Sequence, residues 1–498
     1  MLDRRNLTQD DLHALARDTA IACQMGDAIA LHGDLGAGKT SFARAFIRYL
    51  AGGDIDVPSP TFALVQLYDD LRVPVAHFDL YRLGDESELD ELGLDETLAS
   101  SIALIEWPER AGNLLPSKAL HVKLTINAGD ADRRDITIDG RGDILSRVEQ
   151  SIAIRAFLKE NAQANAWRRP LTGDASTRRY ETITGRGNEI LMIAPPQADG
   201  PPVRDGLPYS RLAHLAEDIR PFVVIGSALQ DAGIRAPAIG GFDVAQGFML
   251  LEDLGRGHLL DDQGMPVPDR YVGAGCLLAS LHGKSVTKDL HARGLHHVLP
   301  DYDLSVFQIE AELLLDWFVA EETGRSPSTE RREAFKAVMT GLWSQLDTSR
   351  FTILLRDYHS PNIVFDGNRQ GTDQFGVIDF QDALWGPGAY DLMSLVHDAR
   401  VTVPLSLGSQ IMEAYCQQRA QSDPDFDRDA FWKEAAICTA QRLCKIMGIF
   451  HRLNRRDAKP AYLAHLPRVR HYFEHTLEHP VLAPLDDWWR SAGLRKSL

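Results

Sequence analysis

"LLRDYHSPNIVF", residues 354–365, sets Asp357 and Asn362 in the D-x-x-x-x-N spacing used for phosphoryl transfer to a hydroxyl. In that spacing the carboxylate accepts the proton of the attacking hydroxyl and the amide oxygen ligates Mg²⁺. Downstream, "GVIDFQDA" ends an apolar strand on Asp379, where a second metal-binding carboxylate belongs. "WGPGAYDLMSLVHD" then opens a helix with Asp391, positioned to buttress the loop. Any one Asp is readily a turn or cap residue. The ordered set of base, amide, carboxylate and buttress reads as a reaction site. The surrounding text agrees: it is strand-rich from about 165 to 256 and mostly helical from about 257 to 498. A small β-rich lobe before a larger α-rich lobe is the expected architecture of residues 151–498.

A second phosphate device stands upstream. "GDLGAGKT" completes G-x-x-x-x-G-K-[ST] at Gly33, Gly38, Lys39 and Thr40, between the strand-like "AIALH" and the helical "SFARAFIRYL". Gly33, Gly36 and Gly38 let backbone N–H groups curl around phosphate oxygens at a helix N-terminus. Lys39 is expected at the β- and γ-phosphates and Thr40 on Mg²⁺, with Ser41 among the nucleotide-binding positions. Apolar runs ("DAIALHG", "VPVAHFDL", "SIALIEW", "ALHVKLTI") alternate with amphipathic stretches, which predicts an α/β module with a mainly parallel sheet over residues 1–150. The turn cluster "DGRGD" marks the boundary at about 150. The Pro- and Gly-free "ILSRVEQSIAIRAFLKENAQANA" is expected to lead the second module. Two phosphate devices imply two ATP sites on one chain.

At 498 residues the chain exceeds one ordinary core. Its net charge of −17 is concentrated early: residues 1–150 hold 15 Lys+Arg against 26 Asp+Glu, a balance of −11. So acidic a module is not expected to grip a nucleic-acid backbone itself. Five cysteines without a CxxC pair argue against a disulfide framework or a zinc site. "MLDRRNLTQDDLHAL" lacks the apolar core of a signal peptide, and no run is long enough to span a membrane. A cytoplasmic protein with no membrane contact is the expectation.

The N-terminal module resembles the ATPase subunit of the bacterial tRNA threonylcarbamoyladenosine system (TsaE-like). The resemblance covers roughly residues 7–140 and rests on "GDLGAGKT", "VPSPTFALVQLY" (57–68), "HFDLYRL" (77–83) and "LIEWPER" (104–110). It implies a switch-like loop with Thr61 near Mg²⁺ and the γ-phosphate. It also implies Asp79 and Glu106 as metal and water ligands, Trp107 beside the nucleotide, and Tyr81 and Arg82 facing a partner or the phosphates. The implied partners are the two other subunits of the complex that modifies adenosine 37, with tRNA met only indirectly. "GDESELDELGLDE" (84–96) reads as a solvated acidic helix face or a docking surface for such a partner.

The C-terminal module resembles the aminoglycoside-phosphotransferase-like kinases. "LTGDASTRRY" (171–180) is similar to their phosphate-covering loop, bringing Gly173 and Ser176 toward the nucleotide, and "MLLEDLG" (249–255) to their hinge, with backbone from Glu252 to Leu254 toward adenine. The strand "EILMIAPP" (189–196) departs from the pattern, having no lysine for the α- and β-phosphates. Arg178 or Arg179 is expected to substitute; Glu217 is the candidate pairing carboxylate or an exposed helix residue. "GDASTRRY", the lysine-free "ILMIAPP" and the fusion order resemble the kinases that phosphorylate the anomeric hydroxyl of N-acetylmuramate and N-acetylglucosamine. His359, Gln381 and Asp382 either face that small amino sugar or pack the loop. An aminoglycoside, choline or homoserine kinase, or a non-catalytic docking module, are the alternatives.

Overall fold

The computed structural model describes residues 1–84, 93–171, 178–185, 187–197 and 199–495. Gly173 and Ser176, and residues 85–92 of the acidic stretch, lie outside the described residues. The chain divides into two units, Met1–Leu171 with Glu181–Gly187, and Thr172–Tyr180 with Asn188–Leu498.

The first unit is built on β1 (Leu2–Leu7), α1 (Gln9–Ala22), β2 (Ala28–His32), α2 (Lys39–Ala51), β3 (Val65–Tyr68), β4 (Val75–Asp79), β5 (Ile102–Glu106), β6 (Leu120–Asn127), β7 (Asp130–Gly140) and α3 (Ile144–Glu160). Its sheet runs β1-β7-β6-β2-β5-β4-β3. The pairs β6–β2, β2–β5 and β5–β4 are parallel, and antiparallel strands flank them on both sides. Period-two alternation assigns the faces: Ile29 and Leu31 pack with Phe42, Phe46 and Ile47 of α2, while Ala28 and Ala30 pack with Phe78 and Ile105 on the other side. The nucleotide motif therefore sits at the carboxyl ends of the parallel strands, where Asp79 and Glu106 also end β4 and β5.

The boundary expected near 150 falls inside α3, and this helix belongs with the first unit rather than leading the second. Arg147 of α3 pairs with Asp27 at 2.5 Å and donates to the Ala22 carbonyl, and Arg155 pairs with Asp18 at 2.7 Å. Trp167, stacked on Tyr49 at 4.9 Å, ties the following segment to α2.

In the second unit, strands Asn188–Ile193, Phe248–Glu252 and Ile239–Asp243 pair antiparallel. Helices follow, the longest being Arg428–Asp457. It is buried through Ala440, Leu443, Cys444 and Met447 against a core that includes Leu314, Leu315 and Phe318. Gly448 lets it approach so closely that an added Cβ would collide with the Leu313 carbonyl. Gly448→Ala is expected to destabilise the second unit by about 2 kcal/mol. Urea unfolding monitored in both proteins checks this: an unchanged midpoint would mean that the helix crossing relaxes freely.

Candidate functional sites

In the first unit, Gly33, Gly36 and Gly38 all take positive φ (142°, 79° and 106°), and Gly38 caps α2. A Cβ at Gly33 would strike the Leu124 carbonyl, so the tight turn admits only glycine there. Lys39, buried, folds back across the loop and donates to the carbonyls of Gly33 (2.7 Å) and Asp34 (3.1 Å). Its Nζ stands 3.6 Å from the Trp107 ring centroid. Burial holds Lys39 below its ordinary pKa, against the pull of Glu106, Glu109 and Asp79. Trp107 reaches this position with φ 58°, a left-handed conformation at the end of β5, and Tyr81 packs on it at 4.9 Å.

Two carboxylates stand behind this cradle. The Thr40 hydroxyl donates to Glu106 at 2.9 Å. Ser59 and Thr61 both donate to one oxygen of Asp79, at 2.7 and 2.8 Å, while its other oxygen accepts from the Tyr81 amide. All the donors that could reach a cation here are oxygens, the set a hard divalent ion such as Mg²⁺ takes. Ser41 has its hydroxyl on His13 Nε2 (3.0 Å). Arg82 lies over Phe62, 4.2 Å from the ring centroid, and Phe62 is 85% exposed.

Three residues of this site escaped sequence reasoning. His77, fully buried, meets Glu106 at 2.9 Å and orients it. A histidine inside the apolar run "VPVAHFDL" was the available signal. Arg134 of β7 donates to the carbonyls of Gly36 and Ala37, at 3.1 and 2.9 Å, and clamps the loop from outside the motif. His13 of α1 holds Ser41. Neither of these last two carried a local signal.

In the second unit the loop is held through its backbone. Asp391 is fully buried in the helix Ala389–Val396 and accepts the amides of Leu355 (2.6 Å) and Arg356 (2.8 Å). Burial pushes its carboxyl up to about 7, opposed by those two amides. Asn362 donates Nδ2 to the Asp357 carbonyl at 3.0 Å, which leaves its amide oxygen for a cation. Asp357 is held below the usual carboxylate range: burial pushes it up, but Lys445, His359, Arg442 and Arg356 outweigh this. Arg356 and Asp379 both adopt left-handed φ, 69° and 61°, at bends that fix this loop and the end of the "GVIDF" run.

Arg178, not Arg179, reaches the site. Its guanidinium pairs with Asp379 at 2.7 Å and Asp382 at 3.5 Å. Arg179 is exposed at the start of its strand. Gln381 bridges the same two carboxylates, at 3.1 and 3.0 Å. Asp382 also accepts the Ala216 amide at 2.6 Å, and burial raises Asp379. Glu217 is turned away: it is half exposed and lies 3.4 Å from Arg211. Of the expected hinge, the Glu252 amide is spent on the Ala238 carbonyl and the Leu254 carbonyl accepts from Arg235. His359 is half-buried in the loop with its Nδ1 enclosed and unpartnered.

Beneath the loop lies an ionic cluster that no motif announced. Glu310, fully buried, takes Arg356, Lys445 (2.7 Å) and Gln441 (3.2 Å). Burial opposes its charge, yet Lys445 and Arg356 bring Glu310 down to about 2. Each partner is far away in sequence.

The fold and these two sites define a P-loop nucleotide module followed by a kinase-like phosphotransferase module. Residues 7–136 match the family described as Threonylcarbamoyl adenosine biosynthesis protein TsaE, and residues 167–432 match the Phosphotransferase enzyme family. An N-acetylmuramate/N-acetylglucosamine kinase of Caulobacter vibrioides is 31% identical over 357 residues, which is 68% of this chain and 96% of the relative. A tRNA threonylcarbamoyladenosine biosynthesis protein TsaE of Bacillus subtilis is 39% identical over 140 residues, 28% of this chain and 85% of its own. Its counterpart in Rickettsia bellii is 37% identical over 130 residues, 26% of this chain and 90% of that protein. The chain belongs to the Phosphotransferase enzyme family, and its N-terminal domain to the TsaE family. It is a bifunctional protein, an ATPase-type module joined to an anomeric-sugar-kinase-like module.

Glu310→Gln is expected to destabilise the second unit by about 3–5 kcal/mol, because Arg356 and Lys445 lose the charge that compensates their burial. With its folded pKa depressed, Glu310 contributes stability that is fully present above the ordinary value of 4.5 and fades as pH falls toward about 2. The gap between mutant and native unfolding midpoints should therefore narrow in acid; a gap independent of pH would remove the ionic account.

Proposed function

We propose that the second unit transfers the γ-phosphoryl group of ATP to the anomeric hydroxyl of N-acetylmuramate or N-acetylglucosamine. The carrying observation is the grip of Asp391 on the Leu355 and Arg356 amides, which fixes Asp357 and Asn362 for in-line work. Asp357 accepts the proton of the sugar hydroxyl as its oxygen attacks phosphorus. Its low pKa keeps it ionised and ready at neutral pH. The Asn362 amide oxygen and the Asp379 carboxylate would hold Mg²⁺, which when bound neutralises charge on the phosphate oxygens. Arg178 supplies the cation missing from strand Asn188–Ile193, and a guanidinium can fork onto two phosphate oxygens as a lysine cannot. Gly173 and Ser176, outside the described residues, are assigned to the phosphates by the resemblance alone, and backbone from Glu252 to Leu254 receives the base. The Leu254 amide, which meets no acceptor among the described residues, is the hinge donor we favour.

The first unit hydrolyses ATP in support of tRNA threonylcarbamoyladenosine formation, acting with the other two subunits of that system and meeting tRNA only through them. Gly33, Gly36, Gly38, Lys39 and Ser41 bind the phosphates, and Thr40, Asp79 and Glu106 would hold Mg²⁺. Glu106, oriented by His77, positions the attacking water. Trp107 flanks the nucleotide and Thr61 senses the γ-phosphate. Both activities draw on ATP, which places this work in the cytoplasm; among the described residues no helix is long and apolar enough to cross a membrane.

Phosphorus NMR of the protein with Mg-ATP and either sugar tests the kinase. A sugar 1-phosphate signal is expected, and Asp357→Asn should slow its appearance by roughly 10²–10⁴-fold. Turnover at native speed in the mutant would remove Asp357 from the role of base. Lys39→Ala should abolish ATP hydrolysis by the first unit and leave sugar phosphorylation intact. Loss of both activities would contradict independent sites.

A further inference from the structure

The β-hairpin formed by strands Asp289–Ala292 and Leu295–Val298 gathers three metal-ligating side chains outside both nucleotide sites. Strand alternation puts Asp289 and His291 on one face, and the register sets His296 directly opposite His291. The two imidazoles stack with ring centroids 4.4 Å apart and planes 14° from parallel. Both Nε2 atoms converge on one oxygen of Asp289, His296 at 2.7 Å and His291 at 3.1 Å. Only the His296 contact is aligned as a hydrogen bond, so hydrogen bonding does not account for the inward turn of the second ring. Among the described residues no lysine or arginine takes Asp289.

The hairpin beneath these side chains is firmly held. Its turn places Arg293 and Gly294 at φ 53° and 79°, the pair of positive values a tight two-residue hairpin turn demands. Leu290 and Leu299 are buried, and the Leu299 amide continues the ladder onto the Lys288 carbonyl at 2.9 Å. Arg293 reaches from the turn to the Ile239 carbonyl and lies over the Phe242 ring. The backbone that carries the three ligands is therefore fixed before any ion arrives, and binding costs little ordering.

The donor set decides which ion. Mg²⁺ and Ca²⁺ take oxygen ligands, whereas two imidazole nitrogens with one carboxylate oxygen suit zinc. Ligand atoms bound about 2.0–2.1 Å from one tetrahedral zinc stand about 3.3 Å from each other. The three atoms here lie within 4.8 Å of one another on exposed side chains, so small rotations bring them onto a common ion. The cysteine pattern speaks only against a zinc site built on thiolates, and this set uses none.

We propose that Asp289, His291 and His296 form a zinc-binding site on this hairpin, separate from the Mg²⁺ positions of the two nucleotide sites. Three protein ligands leave a fourth position for water, and the bound ion clips the two strands together across their exposed face.

The test is calorimetric titration of the full-length protein with Zn²⁺ in a large excess of Mg²⁺, which occupies the all-oxygen sites. The native chain should bind a zinc equivalent that His291→Ala and His296→Ala both lose. His297→Ala, on the opposite face of the same strand, should retain it. Zinc should also raise the unfolding temperature of the native chain by more than that of either variant, because it binds only the folded hairpin. Co²⁺ supplies a measurement that needs no variant: the native protein should show the visible absorption of a four-coordinate ion with nitrogen ligands. A native chain that binds no zinc in excess Mg²⁺, or equal zinc binding by the native chain and both variants, would overturn the proposal. So would a Co²⁺ spectrum of a six-coordinate ion.

Discussion

A catalytic loop works only if its backbone does not move when charge is drawn through it, and here a single buried carboxylate carries that constraint. Asp391 binds two consecutive amides, Leu355 and Arg356, and so sets the direction in which the chain leaves toward Asp357. The same turn requires the left-handed φ of Arg356. That strain is tolerable because the Arg356 side chain is anchored at its far end on Glu310 and the Ala213 carbonyl. Backbone and side chain of one residue are thus held from opposite sides, and Asn362 closes the loop on the Asp357 carbonyl.

The first unit solves the same problem with different parts. Its phosphate cradle is a run of backbone amides, so rigidity comes from whatever binds the carbonyls on the reverse side. Arg134 does this from β7, and Lys39 does it from within the loop. A lysine folded onto its own loop carbonyls needs only a change of partner to meet phosphate oxygens. Glu106 is tied to both Thr40 and His77, so the first turn of α2 and the residue that ends β5 are positioned together.

The two sites compensate their acidic groups in different ways. Asp79 receives only hydroxyls and an amide, which can give way to a cation. Asp379 receives a guanidinium, which can move to phosphate. Glu310 receives two cations at once and is locked. The first two arrangements suit exchange with a ligand, and the third suits permanence. Fusion places two such sites in one chain without mixing their machinery, since each motif set is complete within its own unit.

Sequence alone determined the two modules, because contiguous motifs encode local geometry. Gly33 to Ser41 must form a strand–turn–helix cradle, and Asp357 to Asn362 must form a loop with a fixed span. The alternation of Ala28 to Leu31 was likewise enough to sheathe a sheet on both faces. Tertiary structure decided the rest, where a residue's meaning depends on a distant partner. Arg178 and Arg179 are adjacent and identical in type, yet only the fold sends Arg178 to a carboxylate 201 positions away. Helix α3 looked like the start of the second module, and its arginines bound it to Asp18 and Asp27 of the first. Glu310, Lys445 and Arg134 belong to no local pattern. Their roles arise from burial, which makes an unpaired charge or polar group too costly to leave and so selects partners that chain order does not announce.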